Sequence, residues 1–137
     1  MAQKGKEIEV AVAEVVDYLK VTGQFAPALR EVIERRITAQ AARDLGLKVT
    51  AAELQKTADA FRVVSDLRKA SETGAWLNSA GISLEVLEDY LETNILIKKY
   101  KDALERKTHK TKYLDAPGIK ESIRGLIYQD WLSRQFK

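Results

Sequence analysis

Cysteine is absent from the chain. That excludes disulfides, thiol catalysis and the usual cysteine-based structural zinc sets. A single histidine, His109, removes any two-histidine metal site, and no carboxylate cluster has a ligand spacing that stands out. The seven glycines are scattered and form neither GxxxxGKS/T nor GxGxxG, so no phosphate-cradling loop is predicted. With two prolines, little interrupts long helices. No segment approaches the ~18 consecutive apolar residues of a membrane span. The opening "MAQKGKEIEV" has no uninterrupted apolar h-region, so no signal peptide is expected. As written the chain is expected to be cytoplasmic, and periplasmic if a signal has been removed. No cofactor, metal or catalytic residue is predicted.

What is present is the balance of a folded chain. Hydrophobic residues make up 45% and charged residues 31% of the 137, a length suited to one hydrophobic core, so a single domain over 1–137 is expected. The formal charge of +3 says little until its distribution is known.

Alternation at Ile8, Val10 and Val12 gives way to helical spacing at Val15, Val16 and Leu19, so a short extended segment should lead into a helix ending at Thr22 and Gly23. A second helix over about Phe25 to Leu45 carries Leu29, Ile33, Ile37, Ala41 and Leu45 as its expected core stripe, with Gly46 as its stop. Thr50 and Glu53 have capping-box spacing, which starts a third helix running to about Ala70 with Leu54, Ala58, Phe61 and Val64 on one face. A short helical turn is expected around Trp76 and Leu77, broken at Gly81, and Ser83 caps the next helix. From Leu84 to about Arg106 two apolar stripes lie on nearly opposite sides: Leu84, Leu87, Leu91 and Ile95, then Val86, Tyr90, Ile97, Tyr100 and Leu104. Such a helix must be covered twice. The last helix, Pro117 to about Phe136, offers Ile119, Ile123, Ile127 and Trp131 as cover. Its interior Gly125 costs ~1 kcal/mol relative to alanine, which implies a close helix crossing or a bend.

The joint "LERKTHKTKYLDAPGI" gathers His109 and much of a basic run, Lys98, Lys99, Lys101, Arg106, Lys107, Lys110 and Lys112. Cations there suit a helix C-terminus, and His109 reads as a solvated loop residue. Phosphate contact is the alternative, without zinc-finger spacing or an RNP-like aromatic motif to support it. The aromatic residues at helical spacing fit either a core or a peptide-binding groove.

The run "LREVIERRITAQAARDLGLKVTAAELQKTADAFR" resembles the N-terminal chaperone region of SurA-type peptidyl-prolyl isomerases. The likeness lies in an arginine-bearing apolar helix, a "GLKVT"-like turn and an "AELQ"-like cap. It continues through "LRKASETGAWLNSAGISLEVLEDYLETNILIKKYKDAL", with its Trp-Leu turn, Gly-Ile-Ser cap and long amphipathic helix, and "IRGLIYQDWLSRQFK" looks like the closing helix of that family. The parvulin domain that normally separates the last two segments is missing, together with its "GGDLG"-type motif and histidine pair. The resemblance therefore implies no isomerase activity.

It implies instead an all-α, SurA N-terminal-like domain of about five helices, whose C-terminal helix packs back on the N-terminal ones. The implied function is that of a non-catalytic holdase binding unfolded or extended polypeptide through an apolar cleft. The company such proteins keep adds peptides awaiting modification or export to the expected clients. The expected contact residues are Phe61, Trp76, Tyr90, Tyr128 and Trp131. The short joint allows a homodimer by helix exchange. The competing readings are a small basic helical nucleic-acid-binding protein and a helical adaptor for one protein partner.

Overall fold

The computed structural model describes residues 9–108 and 117–136, and the side chains of these apart from residues 108 and 117–123. The joint at 109–116, with His109, Lys110, Lys112 and Tyr113, lies outside the described residues, as does Ile8. The protein is all-α. Its helices are α1 (Val12–Val21), α2 (Phe25–Asp44), α3 (Ala51–Val64), α4 (Ala70–Ala80), α5 (Leu84–Thr108) and α6 (Pro117–Arg134).

The chain divides into two compact units, residues 1–34 and 35–137. In the first, α1 begins after an extended Ala11 and buries no residue. Its Val12 and Val21 are 79% and 87% exposed. The Lys20 ammonium lies 5.1 Å from the centre of the Phe25 ring, a cation–π contact across the α1–α2 turn.

The second unit holds the core. Ala39 and Ala42 of α2 pack with Leu96 and Tyr100 of α5, and Ala41, Leu47, Val49, Leu104 and Trp131 close around them. Leu87, Leu91 and Leu132 are also buried. Helix α5 packs against both α3 and α6, so the helix expected to need two covers receives them. The covered line includes Leu96, which belonged to neither expected stripe, whereas Leu84, Val86 and Tyr90 stay half exposed.

The expected core stripe of α2 is corrected in the same way. Its buried residues are Thr38, Ala39 and Ala42, whereas Leu45 of the stripe is 60% exposed and Ile37 only half-buried. The reason is volume. Small side chains on α2 leave room for the large ones of α5 and α6, and interior packing admits few voids.

Local capping chemistry fixes the element ends. At the end of α2 the Leu47 N–H donates to the Ala42 carbonyl (3.0 Å) and the Gly46 N–H to that of Arg43 (2.9 Å), with Gly46 at φ 81°: a Schellman turn. Helix α3 ends by the same bonds, Leu67 N–H to Arg62 (2.7 Å) and Asp66 N–H to Val63 (3.2 Å). The positive-φ position there is Asp66, at 57°. That stop is why α3 ends at Val64 rather than near Ala70, and the single turn expected around Trp76 is a full helix, Ala70–Ala80, with its own cap at each end. The Glu72 carboxylate accepts the Lys69 N–H (2.9 Å) at the start of α4, and Ser83 Oγ accepts the Val86 N–H (3.2 Å) at the start of α5. Thr50 and Glu53 form the expected capping box. No close crossing offsets Gly125: a Cβ built there meets nothing within 4 Å.

Candidate functional site

The five aromatic residues expected to contact a client fall into three groups. Phe61 and Trp76 meet edge to face at 5.7 Å, bringing α3 and α4 together, and both are half-buried. Tyr90, 48% exposed, lies under the Arg35 guanidinium at 4.7 Å. Tyr128 and Trp131 stack at 6.2 Å, and Trp131 also packs on buried Tyr100 at 4.8 Å. Burial pushes the Tyr100 phenol up from its ordinary pKa. No single surface therefore joins all five.

Trp131 of the third group borders an open groove. Ile37 and Ala41 of α2 face Trp131 of α6 across a cleft of about 480 Å³, rimmed by Arg36, Asp44 and Gln135. Ile37 of the expected stripe is thus a groove wall, because the neighbouring Thr38–Ala39–Ala42 line takes the buried side of α2, whereas Ala41 both packs against the core cluster and lines the groove. The groove combines an apolar lining with polar groups at its edge, the ordinary make-up of a binding cleft.

Its walls are held by specific contacts. Thr38, fully buried, has its Oγ1 3.1 Å from the Tyr128 hydroxyl, joining α2 to α6. Leu132, 2% exposed, anchors α6 in the core. Arg124 of α6 pairs with Asp102 and, at 3.7 Å, with Glu105 on α5.

Helix α5 is tied to the α2–α3 turn by Lys99, whose Nζ donates to the Lys48 carbonyl (2.6 Å) and to Glu53 (2.8 Å). That hydrogen bond first, then the one from the Thr50 N–H, holds the Glu53 carboxyl down at about 2. Among the described residues, the cations of the basic run consequently do not all share one face. Lys99 is committed to α3, Lys101 lies over the Tyr128 ring at 4.3 Å, and Lys98 is exposed.

A second groove runs between α5 and α6. It has a volume of about 370 Å³ and is lined by Asn94, Ile97, Lys98 and Lys101 of α5 with Arg124 and Gly125 of α6. Sequence reasoning missed it. The available signal was the spacing of 94, 97, 98 and 101, which places these residues on one helix face.

Among the described residues no group of three or more histidine, cysteine or acidic side chains is arranged to hold a metal ion. Among them, too, no helix is long and apolar enough to cross a membrane. The chain matches no protein-family model, no curated protein and no solved structure.

Proposed function

We propose that the protein is a non-catalytic holdase of SurA-like type that binds unfolded or extended polypeptide, with the α2–α6 groove as its binding cleft. The observation that supports this is the open apolar wall of Ile37, Ala41 and Trp131 inside a polar rim. A client side chain the size of leucine gains ~1.5–3 kcal/mol from burial in such a cleft. Ordering the client offsets much of that gain. The result is weak, sequence-tolerant capture, which suits a protein that must release its client. Trp131 is the aromatic contact residue on this reading, and Tyr128 supports it by stacking on its ring and bonding Thr38. Phe61 and Trp76 hold α3 to α4, and Tyr90 is a peripheral contact.

The test is a titration with unfolded, uncharged peptides of graded hydrophobicity, followed by Trp131 emission in a Trp76→Phe background. Affinity should rise with peptide hydrophobicity, change little between low and high salt, and fall in Ile37→Glu. No dependence on hydrophobicity refutes the reading.

The proposal extends to a homodimer formed by exchange of α6 through the 109–116 joint. A strictly monomeric mass in light scattering at micromolar concentration refutes that part.

A further inference from the structure

The α5–α6 groove differs in chemistry from the apolar cleft beside it. Three cationic side chains, Lys98, Lys101 and Arg124, line it together with the Asn94 amide and the apolar Ile97. Asn94 is oriented: its Oδ1 accepts from the Arg35 guanidinium at 2.7 Å, which leaves the amide NH2 as the group with donors to offer. Gly125, exposed and also lining it, has open space where a side chain would stand. Tyr128 adjoins both grooves, since Lys101 lies over its ring at 4.3 Å while Trp131, of the apolar cleft, stacks on it at 6.2 Å.

From this arrangement we infer that the α5–α6 groove is a carboxylate-binding subsite that selects polypeptide clients carrying a negative charge close to an apolar residue. The inference rests on the polypeptide-binding reading above and adds a client class to it.

Charge decides between a peptide carboxylate and a polyanion. Arg124 is already paired with Asp102 and Glu105. Those two carboxylates cancel most of the local positive charge, leaving Lys98 and Lys101 as the side chains that face an incoming anion. Asp102 and Glu105 would repel a run of phosphates, each of which needs its own cation. One carboxylate is accommodated, because it asks for a pair of donors and no more. Ile97 supplies a small apolar contact beside them, which a nucleic-acid backbone has no use for. The carboxylate can come from an acidic side chain or from the client's C-terminus. The groove chemistry is the same for both.

The experiment measures dissociation constants of the full chain by calorimetry for four probes. The first is an apolar peptide containing one glutamate with an amidated C-terminus. The second has glutamine in its place, and the third is that glutamine peptide with a free C-terminus. The fourth is a single-stranded oligonucleotide.

The glutamate peptide should bind about fivefold more tightly than the amidated glutamine peptide at low salt, and the advantage should shrink at high salt. Recovery of that advantage by the free C-terminus assigns the terminal carboxylate to the same groove, and its absence assigns the groove to side chains. In Lys98→Gln/Lys101→Gln the ratio between glutamate and glutamine peptides should collapse to one. Gly125→Leu, which improves helix propensity while placing a bulky side chain in the groove lining, should collapse it as well.

Equal binding of the glutamate and glutamine peptides by the wild-type chain overturns the inference while leaving the apolar cleft standing. A ratio that survives in both variants also overturns it. An oligonucleotide that binds more tightly than any peptide overturns it in favour of nucleic acid. Capture of the glutamate peptide with no capture of either glutamine peptide supports the subsite and refutes the apolar reading instead.

Discussion

The contact between buried Thr38 and Tyr128 is the most direct test of how α6 is held against α2, and a double-mutant cycle measures it. The perturbations are Tyr128→Phe, Thr38→Val and the pair. In the wild-type chain the two hydroxyls are 3.1 Å apart, with Thr38 fully buried and Tyr128 half-buried. A net hydrogen bond of this kind contributes ~0.5–1.5 kcal/mol, and a buried polar group left without any partner costs ~1–3 kcal/mol. Thr38 is engaged in a further interaction, so losing the phenol does not orphan it. Tyr128→Phe should therefore cost about 1 kcal/mol. Thr38→Val keeps the shape and nearly the same helix propensity, and the half-buried phenol turns to water, but the further interaction of the hydroxyl is lost as well, so its cost should be about 1–2 kcal/mol. If the hydroxyls interact, the double variant should lose about as much as the larger single one, a coupling of ~0.5–1 kcal/mol. Urea denaturation followed by tryptophan fluorescence resolves this, because Trp131 lies beside the contact. Strict additivity of the two single costs, with unchanged m-values, refutes the contact and with it this account of how the cleft keeps its width.

Glu53 carries the clearest pH dependence. Its carboxyl is at about 2 in the folded chain against 4.5 when free, so its contribution to stability is complete above pH 4.5 and is lost as pH falls toward 2. The stability difference between wild type and Glu53→Gln should shrink steadily across that window, and a difference independent of pH in thermal melts counts against the Lys99 tie. Thr50→Ala, which removes the hydroxyl half of the same capping box, should cost about 1 kcal/mol in chemical denaturation. Asp66→Gly should raise stability by about 0.5–1 kcal/mol, because the left-handed backbone at the α3 terminus penalises a side chain. A loss on that substitution would mean that the exposed Asp66–Arg68 ion pair, at 3.0 Å, matters more than the backbone.

How far the fold could be read from the sequence depended on how local the deciding chemistry was. The Gly46 stop, the Thr50–Glu53 box and the Ser83 cap were all legible, since each is settled by a few neighbouring residues. The end of α3 was not, because aspartate seldom signals a left-handed stop and the apolar pattern runs on past it. The helical run of α2 was legible but its buried side was not. Periodicity marks large apolar residues, whereas burial on α2 went to Thr38, Ala39 and Ala42, whose small size is what α5 and α6 require. The binding cleft was half visible. Trp131 could be named from its type, but its partner Ile37 reads as core and Ala41 serves both core and groove, and the separation of the aromatics into three groups depends on tertiary packing.

The position of Trp131 links binding to stability. One part of the ring packs on Tyr100 in the core and another lines the cleft, so a client that covers the exposed part binds a surface that exists only in the folded chain. Such a ligand stabilises the fold by RT ln(1 + [L]/Kd), and a weak client does so only near or above its own Kd. Removing Trp131 would lower client affinity and stability together, and neither loss could then be assigned to one cause. Ile37 on the apolar wall and Lys98 on the cationic one are free of that difficulty, because one is half-buried, the other is exposed and neither belongs to the buried cluster. Loss of client binding in Ile37→Glu at unchanged urea midpoint would therefore place the interaction in the cleft itself. Loss that tracks the midpoint would show that the cleft matters only through the packing beneath it.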